Sequence, residues 1–328
     1  MSLPDSVRLI RVPTGLPVGD VNCYLILGEP LTLIDTGLMT DEAWAAIERG
    51  FAEVGLRPGD VEQILLTHGH VDHAGLCSRL SSERLRLHGD VPRVFIHERD
   101  HHRVVDYDSF IERRAEAYVR VAKMAGVPPE SLSISPSLIV YYFRELGASI
   151  PHATPVRNST VFDSGAGGLK IVDTPGHTMG SMCLVLEAER VVFCGDHILG
   201  DISSNPSIDF DSVDDIPMRI YLQSIERMLP YSGYLFLPGH RSFITDVNAR
   251  IEELRHEYST KLERVMTLLG QKPKTLFEVS RMLFGSYRFD QLILAISETF
   301  DLLRILRDQG RITMNERDGV WVAQRAIL

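Results

Sequence analysis

Strand-like runs that stop on a metal-capable side chain recur through this sequence, and no other feature restricts the fold as much. "QILLTHGH" ends on His68 and His70, "LKIVDTPGH" on His177, "RVVFCGD" on Asp196 and "YLFLPGH" on His240. The runs are short and rich in apolar and β-branched residues, with Gly or Pro at their ends, as sheet strands are. Each donor follows a small or turn-forming residue, and glycine lets the backbone pass close to an ion. A single histidine after a strand is ordinary. Four such endings between positions 63 and 240 predict strands whose C-terminal ends meet at one edge and deliver donors to one place.

The stretch "THGHVDH" adds Asp72 and His73. The set is then five imidazoles (His68, His70, His73, His177, His240) and two carboxylates (Asp72, Asp196). A tetrahedral zinc takes four ligands, so this set exceeds one ion and suits two that share a bridge. On extended backbone His68 and His70 point the same way. The chain must then turn, which lets Asp72 and His73 address a neighbouring ion. Imidazole and carboxylate without thiolate suit zinc first, then iron or manganese. Cys23, Cys77, Cys183 and Cys194 lie apart from one another and from this set, and read as buried thiols.

The rest of the chain is organised around these endings. "VRLIRV", "VNCYLIL" and "LTLIDTG" open it as strands, and "TDEAWAAIERGFAEVG" reads as a helix capped by Thr40 and stopped at Gly55. Over residues 97–150 the period changes. "RVVDYDSFIERRAEAYVRVAKMAGV" and a second run opening at Pro128–Pro129 predict a helical insertion. Its aromatics, Tyr107 and Tyr142 among them, suit a pocket wall or core packing. His97, His101 and His102 at its start read as surface or capping residues. "SGAGG" (164–168) lacks phosphate-loop spacing and reads as a hairpin turn.

From residue 248 the texture is helical. Apolar residues at 251, 254, 258, 262, 265 and 269 form one stripe, Thr275 and Glu278 make a capping box, and a third helix covers 289–308. Two short strands around Asp318–Gly319 follow. The expected division is a catalytic domain, 1–247, and a second domain, 248–328.

Charge narrows the partners. The chain carries −10, but residues 249 onward hold 13 Lys/Arg against 11 Asp/Glu, leaving −12 on the first 248. That argues against a nonspecific nucleic-acid or anionic-membrane binder. No apolar run approaches the roughly 18–20 residues of a membrane span. The N-terminal text has no apolar signal segment, so the expected location is cytoplasmic.

Taken together, "VNCYLI", "IDTG", "THGHVDHAG", "TPGHTMGS", "FCGDH" and "PGH" resemble the successive motifs of the metallo-β-lactamase superfamily, over about the first 245 residues. The resemblance implies an α/β fold, an αββα sandwich with a glyoxalase II-like catalytic part and the site at the edge between its two sheets. It implies two divalent ions, with His68, His70 and His177 at the first and Asp72, His73 and His240 at the second. Asp196 would bridge them, and Asp35 of "IDTG" would orient ligands from behind. The tail resembles a winged-helix module carried by one branch of the family, which includes an endoribonuclease and several thioester or ester hydrolases.

Such a site implies hydrolysis by a metal-bridging hydroxide, with Asp72 orienting it and moving its proton and Asp196 as the bridge. The expected substrate is a small-molecule thioester, ester or lactone, because an acidic chain with an aromatic-bearing insertion suits an apolar acyl group. The alternatives are an endoribonuclease or phosphodiesterase of the same superfamily, and a persulfide dioxygenase with a single iron. The third tail helix sets Arg288, Arg304 and Arg307 against Asp290, Glu298, Asp301 and Asp308, a poor phosphate-binding face. Nucleic acid is therefore not favoured, and the tail reads as a packing or homo-oligomer module. His197 and Asn205, beside and within "LGDISSNPSID", join Tyr107 and Tyr142 as candidate substrate contacts.

Overall fold

The computed structural model describes residues 2–129, 135–206, 215–286 and 289–326. Strands β1 (Val7–Val12), β2 (Val21–Ile26), β3 (Thr32–Ile34), β4 (Gln63–Leu65), β5 (Arg93–His97) and β6 (Thr154–Val156) form one sheet in chain order. The first three are antiparallel, and from β3 to β6 the pairing is parallel. The second sheet holds β7 (Val161–Asp163), β8 (Gly168–Asp173), β9 (Met182–Leu186), β10 (Val191–Gly195) and β11 (Leu235–Pro238), in the order β11-β10-β9-β8-β7. Its strands are antiparallel except for the parallel pair β10 and β11. Hence β8, β10 and β11 run the same way and end at the same edge. The turn at 164–168 joins β7 to β8, as expected.

Side-chain alternation makes the layers. In β2 every residue is buried: Cys23 and Leu25 face helices α1 (Asp41–Ala52) and α3 (Cys77–His88), against Trp44, Ile47, Phe51 and Leu80. Tyr24 and Ile26 face the second sheet and pack with Leu184, Phe193 and Leu237. Likewise Met182, Leu184 and Leu186 of β9 point inward, while Cys183 and Val185 join a cluster under α7 (Pro217–Ser224) and α8 (Val247–Leu268). The result is helix, sheet, sheet, helix. Each fully buried large apolar side chain contributes about 1.5–3 kcal/mol, and the two-sided burial of β2 and β9 locks their register. The four cysteines are free and buried.

Local signals mostly set the element ends. Thr40 accepts a hydrogen bond from Ala43 N at the start of α1, which stops at Ala52, ahead of the left-handed Gly55. The insertion sits between β5 and β6 as α4 (His101–Val105), α5 (Tyr107–Met124) and α6 (Pro136–Arg144). The run expected to open at Pro128–Pro129 crosses residues 130–134, and the last described helix of the insertion begins at Pro136. Ser135 accepts from Leu138 N there, and proline suits the first helical position because it has no N–H to satisfy. Residues 130–134 lie outside the described residues.

Beyond α8, capped by Asp246, come β12 (Lys274–Thr275), α9 (Leu276–Phe284), α10 (Phe289–Asp308), β13 (Ile312–Arg317) and β14 (Val320–Arg325). The capping box is reciprocal: Thr275 accepts from Glu278 N at 3.1 Å and Glu278 from Thr275 N at 2.7 Å. Asp318 and Gly319 take positive φ at the hairpin tip. The third strand, β12, carries no signal in the text; it pairs with β14 at only two positions. Apolar residues of α8, α9 and α10 share one cluster with Val185, Val192 and Phe236 of the second sheet. Among the described residues no helix is long and apolar enough to cross a membrane.

Candidate active site

The four strand endings meet. His68 and His70 follow β4, Asp72 and His73 sit on the short helix α2 (Val71–Ala74), His177 follows β8, Asp196 follows β10 and His240 follows β11. Straps between the sheets hold this edge. Tyr24 Oη donates to Pro238 O at 2.7 Å, Asn22 Nδ2 to Pro238 O and Arg241 O at 3.0 Å each, and Met182 N to Thr67 O at 2.9 Å.

His68 Nε2 lies 3.1 Å from His70 Nδ1, which lies 3.0 Å from His177 Nε2. On the other side Asp72 Oδ2 is 3.4 Å from His240 Nε2 and 3.9 Å from His73 Nε2. Asp196 stands between the two groups. Its Oδ1 is 3.5 Å from His73 Nε2, and its Oδ2 is 3.6 Å from both His177 Nε2 and His240 Nε2. All seven donors read from the sequence are therefore brought together. Two glycines permit the approach. A Cβ on Gly239 would come within 2.5 Å of Asp196 Oδ1, and one on Gly195 within 2.5 Å of Thr67 Oγ1.

Behind the donors, a ring of oxygens fixes the imidazoles. Carbonyls only accept, so His240 Nδ1 donates to Asp20 O at 2.9 Å and His177 Nδ1 to Asn205 O at 3.2 Å. Both Nε2 lone pairs then face the centre. Asp35 adopts a left-handed φ of 56°. Its carboxylate accepts from Thr67 N, Thr67 Oγ1 and His73 Nδ1, each at 2.8 Å, so the side chain holds the backbone where few residues other than glycine and asparagine are at ease.

Asp100 is the residue that sequence reasoning missed. It is fully buried, and its carboxylate accepts from Gly69 N at 2.7 Å, Thr178 Oγ1 at 2.6 Å and Gly180 N at 3.0 Å. It therefore ties the His68–His70 loop to the His177 loop. One aspartate after "VFIHER" carries no spacing that would single it out.

The electrostatics fit divalent cations. Burial and the neighbouring imidazoles hold His68 and His70 well below the ordinary histidine value, so both are neutral donors at pH 7. Burial disfavours charge on His73 as well, yet Asp196, Asp35 and Asp72 overcome it and raise this imidazole well above its usual value. Burial opposes charge on Asp196, but His240 and His73 drive its carboxyl far below the usual range. Negative charge is thus concentrated where positive charge is wanted. His73 Nε2, His240 Nε2 and Asp196 Oδ1 are buried and have no hydrogen-bond partner among the described residues. An unmet buried polar atom costs about 1–3 kcal/mol, and a cation would take all three.

Comparison with known proteins agrees with this geometry. Residues 16–240 match the profile of the metallo-beta-lactamase superfamily. The chain belongs to that superfamily. It is 31% identical over 312 residues, 94% of each chain, to the probable metallo-hydrolase YqjP of Bacillus subtilis (strain 168). The solved metallo-beta-lactamase family protein TTHA1429 from Thermus thermophilus is similar at 30% identity and a TM-score of 0.84, over 99% of this chain and 100% of that one. A more distant relative is an atrochrysone carboxyl ACP thioesterase of Emericella nidulans, 23% identical over 209 residues, 60% of this chain and 61% of that protein. The protein is a metal-dependent hydrolase of the metallo-beta-lactamase superfamily.

In this superfamily member the remaining candidates are placed unevenly. Tyr107 lines a recess beside the His70 loop, and its hydroxyl donates to Phe143 O at 2.8 Å. Tyr142 is exposed on α6 and is not part of the recess wall. His197 is buried edge-on against Tyr221, away from that recess, and Asn205 meets His177 through its backbone carbonyl. His97 corrects an expectation. Read as a surface or capping residue, it is buried, with Nε2 3.3 Å from an Asp173 carboxylate oxygen across the two sheets. The alternation of β5 turns it inward.

Proposed function

We propose that the chain is a dinuclear hydrolase of thioesters, esters or lactones, with a mostly apolar acyl chain held in the insertion. His68, His70 and His177 would hold one ion and Asp72, His73 and His240 the other, with Asp196 between them. The observation that carries this reading is Asp196, which lies 3.5–3.6 Å from His73, His177 and His240 and so between the two donor groups, while His73 Nε2, His240 Nε2 and Asp196 Oδ1 have no hydrogen-bond partner among the described residues. When bound, two divalent cations, zinc first by donor type, ionise a shared water near neutral pH and polarise a carbonyl oxygen. Asp72 is the less buried of the two carboxylates, with 14% of its side chain exposed against 8% for Asp196. It is therefore the group that can orient the attacking water and pass its proton to the leaving group.

The acyl assignment draws on the recess. Tyr107, Phe110, Ile111, Ile139 and Phe143 line it, together with Gly69 and Val71 on either side of His70. A relative named as a thioesterase points the same way. We read residues 248–328 as a winged-helix-like module that packs on a 1–247 catalytic unit. Of the basic residues on its third helix, Arg304 is buried and donates to Asp215 O at 2.6 Å, and Arg307 pairs with Asp308 at 3.0 Å. Arg288 lies outside the described residues. Little of that face is left for phosphate.

Metal content by mass, paired with rates on an acyl-thioester, a lactone, a phosphodiester and a short RNA, tests the reading. Two ions per chain with thioester or lactone turnover is the expected result. One iron per chain with oxygen uptake, or cleavage of RNA alone, overturns it.

A further inference from the structure

We propose that Arg114 is an anion-recognition residue in the recess, so that the preferred acyl group ends in a carboxylate. This rests on the acyl-hydrolase reading and names its substrate class. Along α5 the residues Tyr107, Phe110, Ile111, Arg114, Ala115 and Tyr118 recur at helical spacing, and all six line the recess. Among the described residues, Arg114 is the one cation in that wall, which is otherwise aromatic and aliphatic. Its guanidinium is half-buried, 5.7 Å from the Phe110 ring centroid and 5.1 Å from that of Tyr118.

The guanidinium is held in place yet uncommitted. Its Nε donates to Tyr118 Oη. Among the described residues no carboxylate pairs with it, and three acids of this region have other arginine partners. Asp108 and Glu112 pair with Arg144 at 2.7 and 3.0 Å, and Asp100 lies against Arg103 at 3.2 Å. With no carboxylate partner among the described residues, both Nη groups can offer two parallel N–H donors, the fork that matches a carboxylate. A single guanidinium in an apolar wall suits a monoanion on a hydrocarbon chain; a phosphate would call for further cations. Gly69 and Val71, the neighbours of His70, line the same recess, so a chain whose far end is held by Arg114 leads its other end toward the metal donors.

The test compares glutaryl and pentanoyl thioesters of N-acetylcysteamine, which have equal carbon counts and differ by a terminal carboxylate or methyl. The metal-loaded wild type should favour the glutaryl ester by about 10- to 100-fold in kcat/KM, the range for charge-assisted hydrogen bonds. In Arg114→Met that ratio should fall toward one, through KM more than kcat, with Arg114→Lys recovering part of it. The ratio within each protein cancels any general loss of activity. If neither ester turns over, the acyl-hydrolase reading fails, and calorimetry with the matching non-hydrolysable thioethers decides the Arg114 assignment separately. An Arg114-dependent preference for the carboxylated thioether supports it. A preference that survives Arg114→Met, or none in the wild type, overturns it.

Discussion

Asp100 offers the most exacting test of how this site is built. Its carboxylate accepts from two backbone N–H groups and one hydroxyl, at 2.6 to 3.0 Å, and lies 3.2 Å from Arg103 Nε in the same buried space. Replacing it with alanine leaves Gly69 N–H and Gly180 N–H without their acceptor and removes the carboxylate beside Arg103. Hydrogen bonds to a charged group contribute about 1.5–3 kcal/mol each, and breaking a buried charge pair costs about 3–5 kcal/mol. These terms overlap, so Asp100→Ala should destabilise by about 4 kcal/mol, against a typical total of about 5–15 kcal/mol. Asp100→Asn keeps the shape but turns one acceptor oxygen into a donor facing N–H groups, and should cost about 2 kcal/mol. Gly180 leaves no room for a larger replacement, since a Cβ there would already lie 2.6 Å from Asp100 Cγ. Because Asp100 joins the loops of His70 and His177, metal affinity should also fall about 10- to 100-fold. Urea unfolding and chelator competition measure the two effects. A loss under about 1 kcal/mol with unchanged metal affinity would refute the claim that this carboxylate holds the two loops in register.

Three further outcomes are expected. Asp196→Asn should lower metal occupancy and cut turnover by more than about 100-fold, because this carboxylate reaches donors of both groups; activity that persists without metal would exclude the mechanism. Titrating zinc into chelated protein should raise the melting temperature, by the equivalent of about 4 kcal/mol at a thousandfold excess over Kd; an unchanged melting temperature would mean the clusters do not bind it. Burial pushes the His197 imidazole down to about 3. The unfolded chain, near 6.5, then takes up the proton first, and the stability present above about pH 6.5 is lost as pH falls toward 3. About 2–3 kcal/mol should go by pH 4.5. His197→Leu should flatten that part of the pH dependence in urea melts, and an unaltered slope would contradict it.

The donor set was legible because its signal is chemical and local: a strand, a small residue, then His or Asp, four times over. Capping at Thr40 and Thr275, the Asp318–Gly319 turn and the helix over 289–308 were legible for a related reason, since each depends on residues a few positions apart. The Ser135 cap on the helix from Pro136 is just as local, three positions from its partner Leu138. His97 looked like surface text because its partner, Asp173, is 76 positions away on the other sheet.

The amino-acid order alone determined which atoms could bind metal and which runs would be strands, because donor chemistry and short-range hydrogen bonding travel with the residues themselves. Only the tertiary structure decided that Asp100 ties two of the donor-bearing loops, that Asp35 holds His73, and that Arg114 stands in an apolar recess. Those properties belong to pairs distant in the chain. Burial and distance create them, and neither exists until the two sheets close on each other.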